Sequence, residues 1–423
     1  MKKRYALIAL LLAAPILLGA EFLETGSGKR VVTWQPAGGP VDPPAIVDAD
    51  EPGSPQGLTV HEWGTFTSVA GPDGSAIEWL PAGGPTDLPC FVLLAGAGPK
   101  GLPVSEQGGR ANRAKIRMET PVLYFYSSRE EQASVKVSFP HGLITEWFPQ
   151  ATLGPVNVWT AIQGFPRGTS TIEWNDVKVM PGASVTYPID ETQSHYYAAR
   201  RTDADPLQVG KNFEKFLFYR GIAAFDPPLS ARAMPDGKVL VTNTGSQVVP
   251  AVVLFENRNG KIGYRVARAV SDQPFTLEVP ELNQTFDSLQ KDLEAMLREQ
   301  GMYALEARAM VDTWKDSWFE QGTRLFYMVP SKTVDALLPL EITPNPVRVA
   351  RAFVGRMEVF TPATLNEVQT AAARNDRATL QTYGRFLEPI LHDFLKDHRA
   401  DGQINAIRAD YVNAVTSCSK KNW

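Results

Sequence analysis

The chain has 423 residues, 43% of them hydrophobic and 21% charged, an ordinary balance for a globular protein with room for two or three domains. Lys and Arg number 42 against 46 Asp and Glu, giving a formal net charge of −4 with no block of like charge. That excludes the basic footprint nucleic acid requires, and a count of two cysteines excludes a disulfide framework or a Cys-rich zinc site.

The chain opens on Lys2, Lys3 and Arg4, followed by an uncharged apolar run over residues 5–20 that ends Leu18-Gly19-Ala20. This is the layout of an export signal. The run falls short of the roughly 20 residues of a membrane span, and Pro15 interrupts it. Residues 1–20 are therefore read as a cleaved signal peptide, with an uncleaved inner-membrane anchor over 5–20 as the alternative. Either places the remainder in the periplasm or outside the cell.

Residues 21–57 are rich in Pro and Gly and read as a linker. Within it, residues 34–44 (WQPAGGPVDPP) recur as residues 79–89 (WLPAGGPTDLP), matching at eight of eleven positions. A local duplication explains this; the sharper expectation is that the leader copy takes the place of the second copy or packs beside it.

Residues 58–280 read as β-structure. Val135, Val137 and Phe139 alternate with polar neighbours, the period of a half-buried strand. Asp73-Gly74, Asp236-Gly237 and Asn259-Gly260 are hairpin dipeptides. Many short strands with regular turns predict a sandwich-like region. Residues 281–423 read as mainly helical. Leu282, Phe286, Leu289, Leu293 and Met296 form one stripe, and Tyr303, Ala307, Met310, Trp314 and Trp318 a second, with Gly301 between them. A strand pair is expected at about 323–360. Thr361-Pro362 is a helix start, and Leu380, Tyr383, Leu387, Leu391 and Phe394 mark a further helix kinked at Pro389. A last short helix follows from Ile404. The fold class is thus α+β: a sandwich-like N-terminal and middle region, then a mixed, mainly helical C-terminal region.

Chemistry is sparser than architecture. His61-Glu62 opens the hexapeptide His61-Glu-Trp-Gly-Thr-Phe66. The zinc-protease signature fails because Thr65 stands where the second His belongs, and on a strand His61 and Glu62 point to opposite faces. His61 is either an acid/base group or a structural hydrogen-bonder. Glu-Trp occurs four times, as Glu62-Trp63, Glu78-Trp79, Glu146-Trp147 and Glu173-Trp174. Exposed, Trp63, Trp79 and Trp147 would form a stacking platform for sugar rings; buried, they are core residues. The carboxylates, Glu146 among them, are candidates for a glycosidase pair, which needs two carboxyls across a cleft. His195 begins a polar cluster in which Arg200, Arg201 and Lys211 are candidates for holding an anion. Asp203 and Asp205, on one strand face by parity, are candidates for holding Ca²⁺ or pairing with Arg201; no EF-hand loop follows them. Residues 96–101 fit the dinucleotide pattern by letters, but Pro99 and Pro103 prevent the helix that must open there, so they read as a turn. Neither a nucleotide nor any other cofactor is expected. Cys90, in an apolar context, and Cys418 either pair in an oxidising compartment or stay as two thiols.

The hexapeptide at 61–66, the loop at 79–85, Arg117-Met-Glu-Thr-Pro121, Ile144-Thr-Glu-Trp147, Phe218-Tyr-Arg-Gly221, Trp318-Phe319 and Val354-Gly-Arg356 form a set. Over about residues 59–360 that set resembles a group of exported bacterial proteins sharing the hexapeptide opening. The resemblance implies export and a bacterial source, and transfers no catalytic residue. Two functions are expected: a non-catalytic envelope or binding protein with an aromatic-rich surface, or an extracytoplasmic hydrolase using His61, Glu62, Glu146 or His195.

Overall fold

The computed structural model of the protein describes residues 57–82, 88–95, 113–154, 169–191 and 194–395, with residue 406. The signal or anchor, the linker up to residue 56, the 96–101 turn, Cys418 and all but one residue of the last expected helix lie outside the described residues.

The first strands in chain order are β1 (Thr59–Val69), β2 (Leu93–Leu94), β3 (Ile116–Tyr126), β4 (Glu131–Pro140), β5 (Gly142–Phe148), β6 (Thr152–Leu153) and β7 (Thr169–Val179). A 3₁₀ turn, His195–Arg200, precedes β8 (Leu207–Val209), β9 (Asn212–Glu214) and β10 (Leu217–Ala223). Then come β11 (Leu229–Ala233), β12 (Val239–Asn243), β13 (Val249–Arg258), β14 (Lys261–Val270) and β15 (Phe275–Leu277). Helices α1 (Phe286–Glu299) and α2 (Ala304–Trp318) follow, with Gly301 between them. The chain continues through β16 (Gly322–Met328), α3 (Ser331–Leu337), β17 (Leu340–Thr343), β18 (Arg348–Glu358), α4 (Pro362–Ala373) and α5 (Arg377–Gln381).

Local chemistry explains these elements. In β4, Ala133, Val135, Val137 and Phe139 are buried while their neighbours face outward, the expected alternation. Asn259 (φ +53°) and Gly260 (φ +79°) both take the left-handed region and turn β13 into β14, as a two-residue hairpin loop demands. Thr285 caps α1 by accepting from Ser288 N, and Thr361 caps α4 with Pro362 in the first turn. The Leu380–Phe394 stripe is buried or half-buried but is not one helix. It runs through α5, a 3₁₀ turn, a short α turn and a π turn at Ile390–Phe394 that begins just after Pro389.

The nine-stranded central sheet has the order β14-β13-β16-β18-β1-β3-β10-β5-β2. β1 and β18 pair in parallel at its middle, and β1 is buried along its whole length. The expected boundary at residue 280 therefore does not separate two sheets. The strand pair expected at 323–360 lies inside the same sheet as β1, because residues 352–354 are apolar and buried on both faces. One face of that sheet shares an apolar core (Val60, Phe66, Met118, Tyr219, Phe353) with Val135, Val137 and Trp174 of the six-stranded sheet and Val239 and Val241 of the three-stranded one. The other face carries Trp63, Tyr124, Phe218, Phe326 and Val354 against Leu293, Met310 and Trp314 of α1 and α2. A third cluster joins Val69, Trp79 and Phe360 to Val368, Leu380 and Phe386 of the C-terminal turns.

Candidate functional site

β1 delivers alternate residues to the two faces. On the helix side, His61 Nδ1 lies 2.8 Å from Glu306 Oε2, in the first turn of α2. Tyr126 Oη donates to Glu306 Oε1 at 2.7 Å, and Tyr303 N to Oε2 at 2.8 Å. Burial and the adjoining Glu306 push the Tyr126 phenol far up, so it stays a neutral donor. His61 and Glu306 are fully buried, and His61 Nε2 has no hydrogen-bond partner among the described residues. On the opposite face, Glu62 accepts from Arg351 Nε and Tyr219 Oη, each at 2.6 Å, within the core between sheets. His61 and Glu62 thus serve two separate buried networks.

Beyond His61 and Trp63, the helix-side face of the sheet becomes charged. Thr65 and Thr67 of β1 stand opposite Glu119 and Arg117 of β3, and Thr67 opposite Arg356 of β18. Arg220 of β10 follows Phe218 on the same face, its guanidinium 5.7 Å from the Trp314 ring centre. Arg117 Nη2 donates to Glu146 Oε1 of β5 at 2.8 Å. Arg356 Nε and Arg324 Nε both donate to Glu358 Oε1, at 3.0 and 2.8 Å, and Arg356 Nη2 reaches Glu320 Oε2 at 3.1 Å. Five strands (β3, β5, β10, β16 and β18) therefore carry one buried band of charge, with the β1 threonines inside it, lying between the α1–α2 layer and the C-terminal turns.

Glu119 is its centre. Its Oε1 is 2.8 Å from Arg385 Nη1, a charge contact outside hydrogen-bond geometry. Burial pushes its pKa up, but Arg385, Arg356, Arg220 and Arg117 outweigh that and hold the carboxyl below its ordinary value. Beside it Arg356 Nη1, Thr65 Oγ1 and Thr67 Oγ1 are buried without hydrogen-bond partners among the described residues. A water-sized cavity of about 10 Å³ adjoins Glu320, Glu358, Thr364 and Phe386 at one end of the band.

The other candidates fall elsewhere. Trp63, Trp79 and Trp174 are fully buried and Trp147 nearly so, the core alternative of the two left open above: their indoles fill the cores and form no exposed stacking platform. Trp79 Nε1 donates to Lys115 O and Trp174 Nε1 to Pro149 O. Asp203 and Asp205 follow a 3₁₀ turn and are not on a strand; Asp205 Oδ2 accepts from Ser127 N at 2.7 Å. No group of three or more potential metal ligands occurs among the described residues, so the Ca²⁺ reading of these two aspartates gains no geometric support. Arg201 Nη1 lies 3.6 Å from Asp312 Oδ2 of α2, a surface ion pair. Arg200 is bidentate to Glu214 at 2.8 and 2.6 Å and flanked by the rings of Phe91, Tyr187, Tyr196 and Tyr197, a half-buried anchor whose guanidinium is engaged by that carboxylate. His195 makes a surface pair with Asp316 at 3.5 Å. Cys90 is half-buried and disulfide-bonded. An open cleft of about 750 Å³ is bordered by Lys115, Asp226, Ser230, Gln247, Lys332 and Leu337; no candidate acid/base residue lines it.

Sequence reasoning singled out His61, Glu62, Glu119 and Glu146 but assigned no role to Thr65, Arg117, Arg220, Arg356 or Arg385, and missed Glu306 as the partner of His61. Charged residues interrupting apolar strands were the available signal.

No protein-family model matches the chain, and no curated protein matches it in sequence. Among solved structures, the yeast delta-COP-I mu-homology domain is similar at 8% identity and a TM-score of 0.26, over 72% of this chain and 95% of that one. At that score the likeness carries no argument. Among the described residues no helix is long and apolar enough to cross a membrane.

Proposed function

We propose that this chain is an exported, non-catalytic binding protein of the bacterial envelope, and that the arginine band takes up an acidic group of its ligand. The observation carrying this reading is the surroundings of Glu119. Four guanidiniums bear on that one carboxylate, while Arg356 Nη1 and the Thr65 and Thr67 hydroxyls beside it have no hydrogen-bond partner among the described residues. Guanidinium groups suit planar anions, and buried polar groups are rarely left unsatisfied. The Cys90 disulfide supports an oxidising compartment, hence export. We read the packing of the central sheet against the two smaller sheets as sandwich-like, with the helices covering the other face.

One observation favours the alternative, an extracytoplasmic hydrolase. A carboxylate orients His61 through Nδ1 and leaves Nε2 without a hydrogen-bond partner among the described residues, the arrangement of a general base.

Calorimetric titration of residues 21–423 with oligogalacturonate, inorganic phosphate and a neutral oligosaccharide separates the readings. An acidic probe should bind, should weaken tenfold or more in Arg117→Gln, and should be unaffected by His61→Gln. Binding indifferent to Arg117→Gln in a folded variant would overturn the band as the site. Cleavage of a probe, abolished in His61→Gln, would replace binding by hydrolysis.

A further inference from the structure

Trp79 is held by a socket made almost entirely of distant residues. Its backbone joins the body through a single bridge, Trp79 N to Ala114 O at 3.0 Å and Ala114 N to Trp79 O at 3.1 Å, outside every sheet. Its indole is fully buried, donates from Nε1 to Lys115 O at 3.1 Å, and stacks on Phe386 with ring centres 5.6 Å apart and planes at 30°. The Arg385 guanidinium lies 5.7 Å from the same ring. The socket thus recognises an indole, its N–H and one residue's worth of extended backbone.

The chain contains a second segment with those features. Residues 34–44 repeat residues 79–89 at eight of eleven positions, Trp34 standing for Trp79. Trp34 precedes Gly57, where the described body begins, by 23 residues, which extended span up to about 75 Å. That is more than a domain's width, so the copy reaches the socket of its own chain. A tethered segment competes at high effective concentration.

We infer that the Trp79 socket has a second occupant, residues 34–44 of the same chain, which exchanges with the segment beginning at Trp79. The ligand is an internal peptide, Trp-x-Pro-Ala-Gly-Gly-Pro, and the interaction surface is Ala114, Lys115, Arg385 and Phe386. Those residues also border the charged band: Arg385 contacts Glu119, and the Arg356 guanidinium lies 5.0 Å from the Phe386 ring. The exchange therefore takes place beside the proposed site, but it does not depend on what that site binds.

A double-mutant cycle in the full mature chain tests this, read as the unfolding temperature Tm. Trp34→Ala alone should change nothing. Trp79→Ala alone should lower Tm only slightly, because Trp34 fills the socket. The two together should lower it by on the order of 5 °C, the scale for an emptied buried tryptophan site. A peptide of residues 31–45 should restore the Tm of the double variant, and its Trp34→Ala form should not. If Trp79→Ala costs as much with Trp34 present as without it, or fails to fold while Trp34 is intact, the inference is wrong.

Discussion

At position 64 the space a side chain would take belongs to Phe353: a Cβ there would sit 2.6 Å from Phe353 Cε1, and that ring is itself stacked on Phe66. Gly64→Ala should cost about 1–3 kcal/mol by overpacking, read as a lower denaturation midpoint with unchanged slope. Phe353→Leu should recover part of that loss in the double variant, and an unshifted midpoint in Gly64→Ala would refute the account. The hexapeptide around this glycine is legible in one respect. Period-two reasoning places His61 and Glu62 on opposite faces, as the structure does. Their partners are not legible, because Glu306 and Arg351 lie 245 and 289 residues further along the chain. Nothing local in a sequence announces a contact of that range. The same blindness hid the arginines around Glu119, whose setting exists only where β1, β3 and β18 meet.

Elements with their own chemical punctuation were read well. The Thr361 Oγ1 accepts from Thr364 N and also from Arg258 Nη2 at 3.2 Å, so the cap ties α4 to β13. Thr361→Ala should destabilise by about 1–2 kcal/mol and increase amide exchange in the first turn of α4, whereas Thr361→Ser should leave both near wild type. Hairpin dipeptides and the break between α1 and α2 were equally visible. The failures share a cause. The residue 380–394 stripe has helical spacing, yet packing against Val69, Trp79 and Phe360 decides its path, and Pro389 supplies no N–H for a regular ladder. Residues 203–205 looked like a strand by parity, but Ser194 accepts from Tyr196 N and starts a 3₁₀ turn just before them.

Across the molecule, two apolar cores sandwich one sheet, and a line of paired charge crosses that sheet where the helix layer gives way to the C-terminal turns. Such a line should make stability depend on pH in a defined window. Glu119 is held below its ordinary value of 4.5, so its contribution is complete above that pH and is lost as pH falls through the depressed value. Wild type should therefore exceed Glu119→Gln in stability most at neutral pH, and the gap should close progressively below about pH 4.5. A gap that is constant between pH 7 and pH 3 would show that the four arginines do not act on this carboxylate. The centre of the sheet carries one more consequence. Glu62 on β1 waits 289 positions for Arg351 on β18. A polypeptide emerging N-terminus first, from ribosome or translocation pore, exposes the open edge of β1 long before its central neighbour has been made. During that interval the nascent chain is most prone to self-association and most in need of a chaperone. A nonsense mutation before Arg348 would leave no smaller working protein, only a sheet missing its middle.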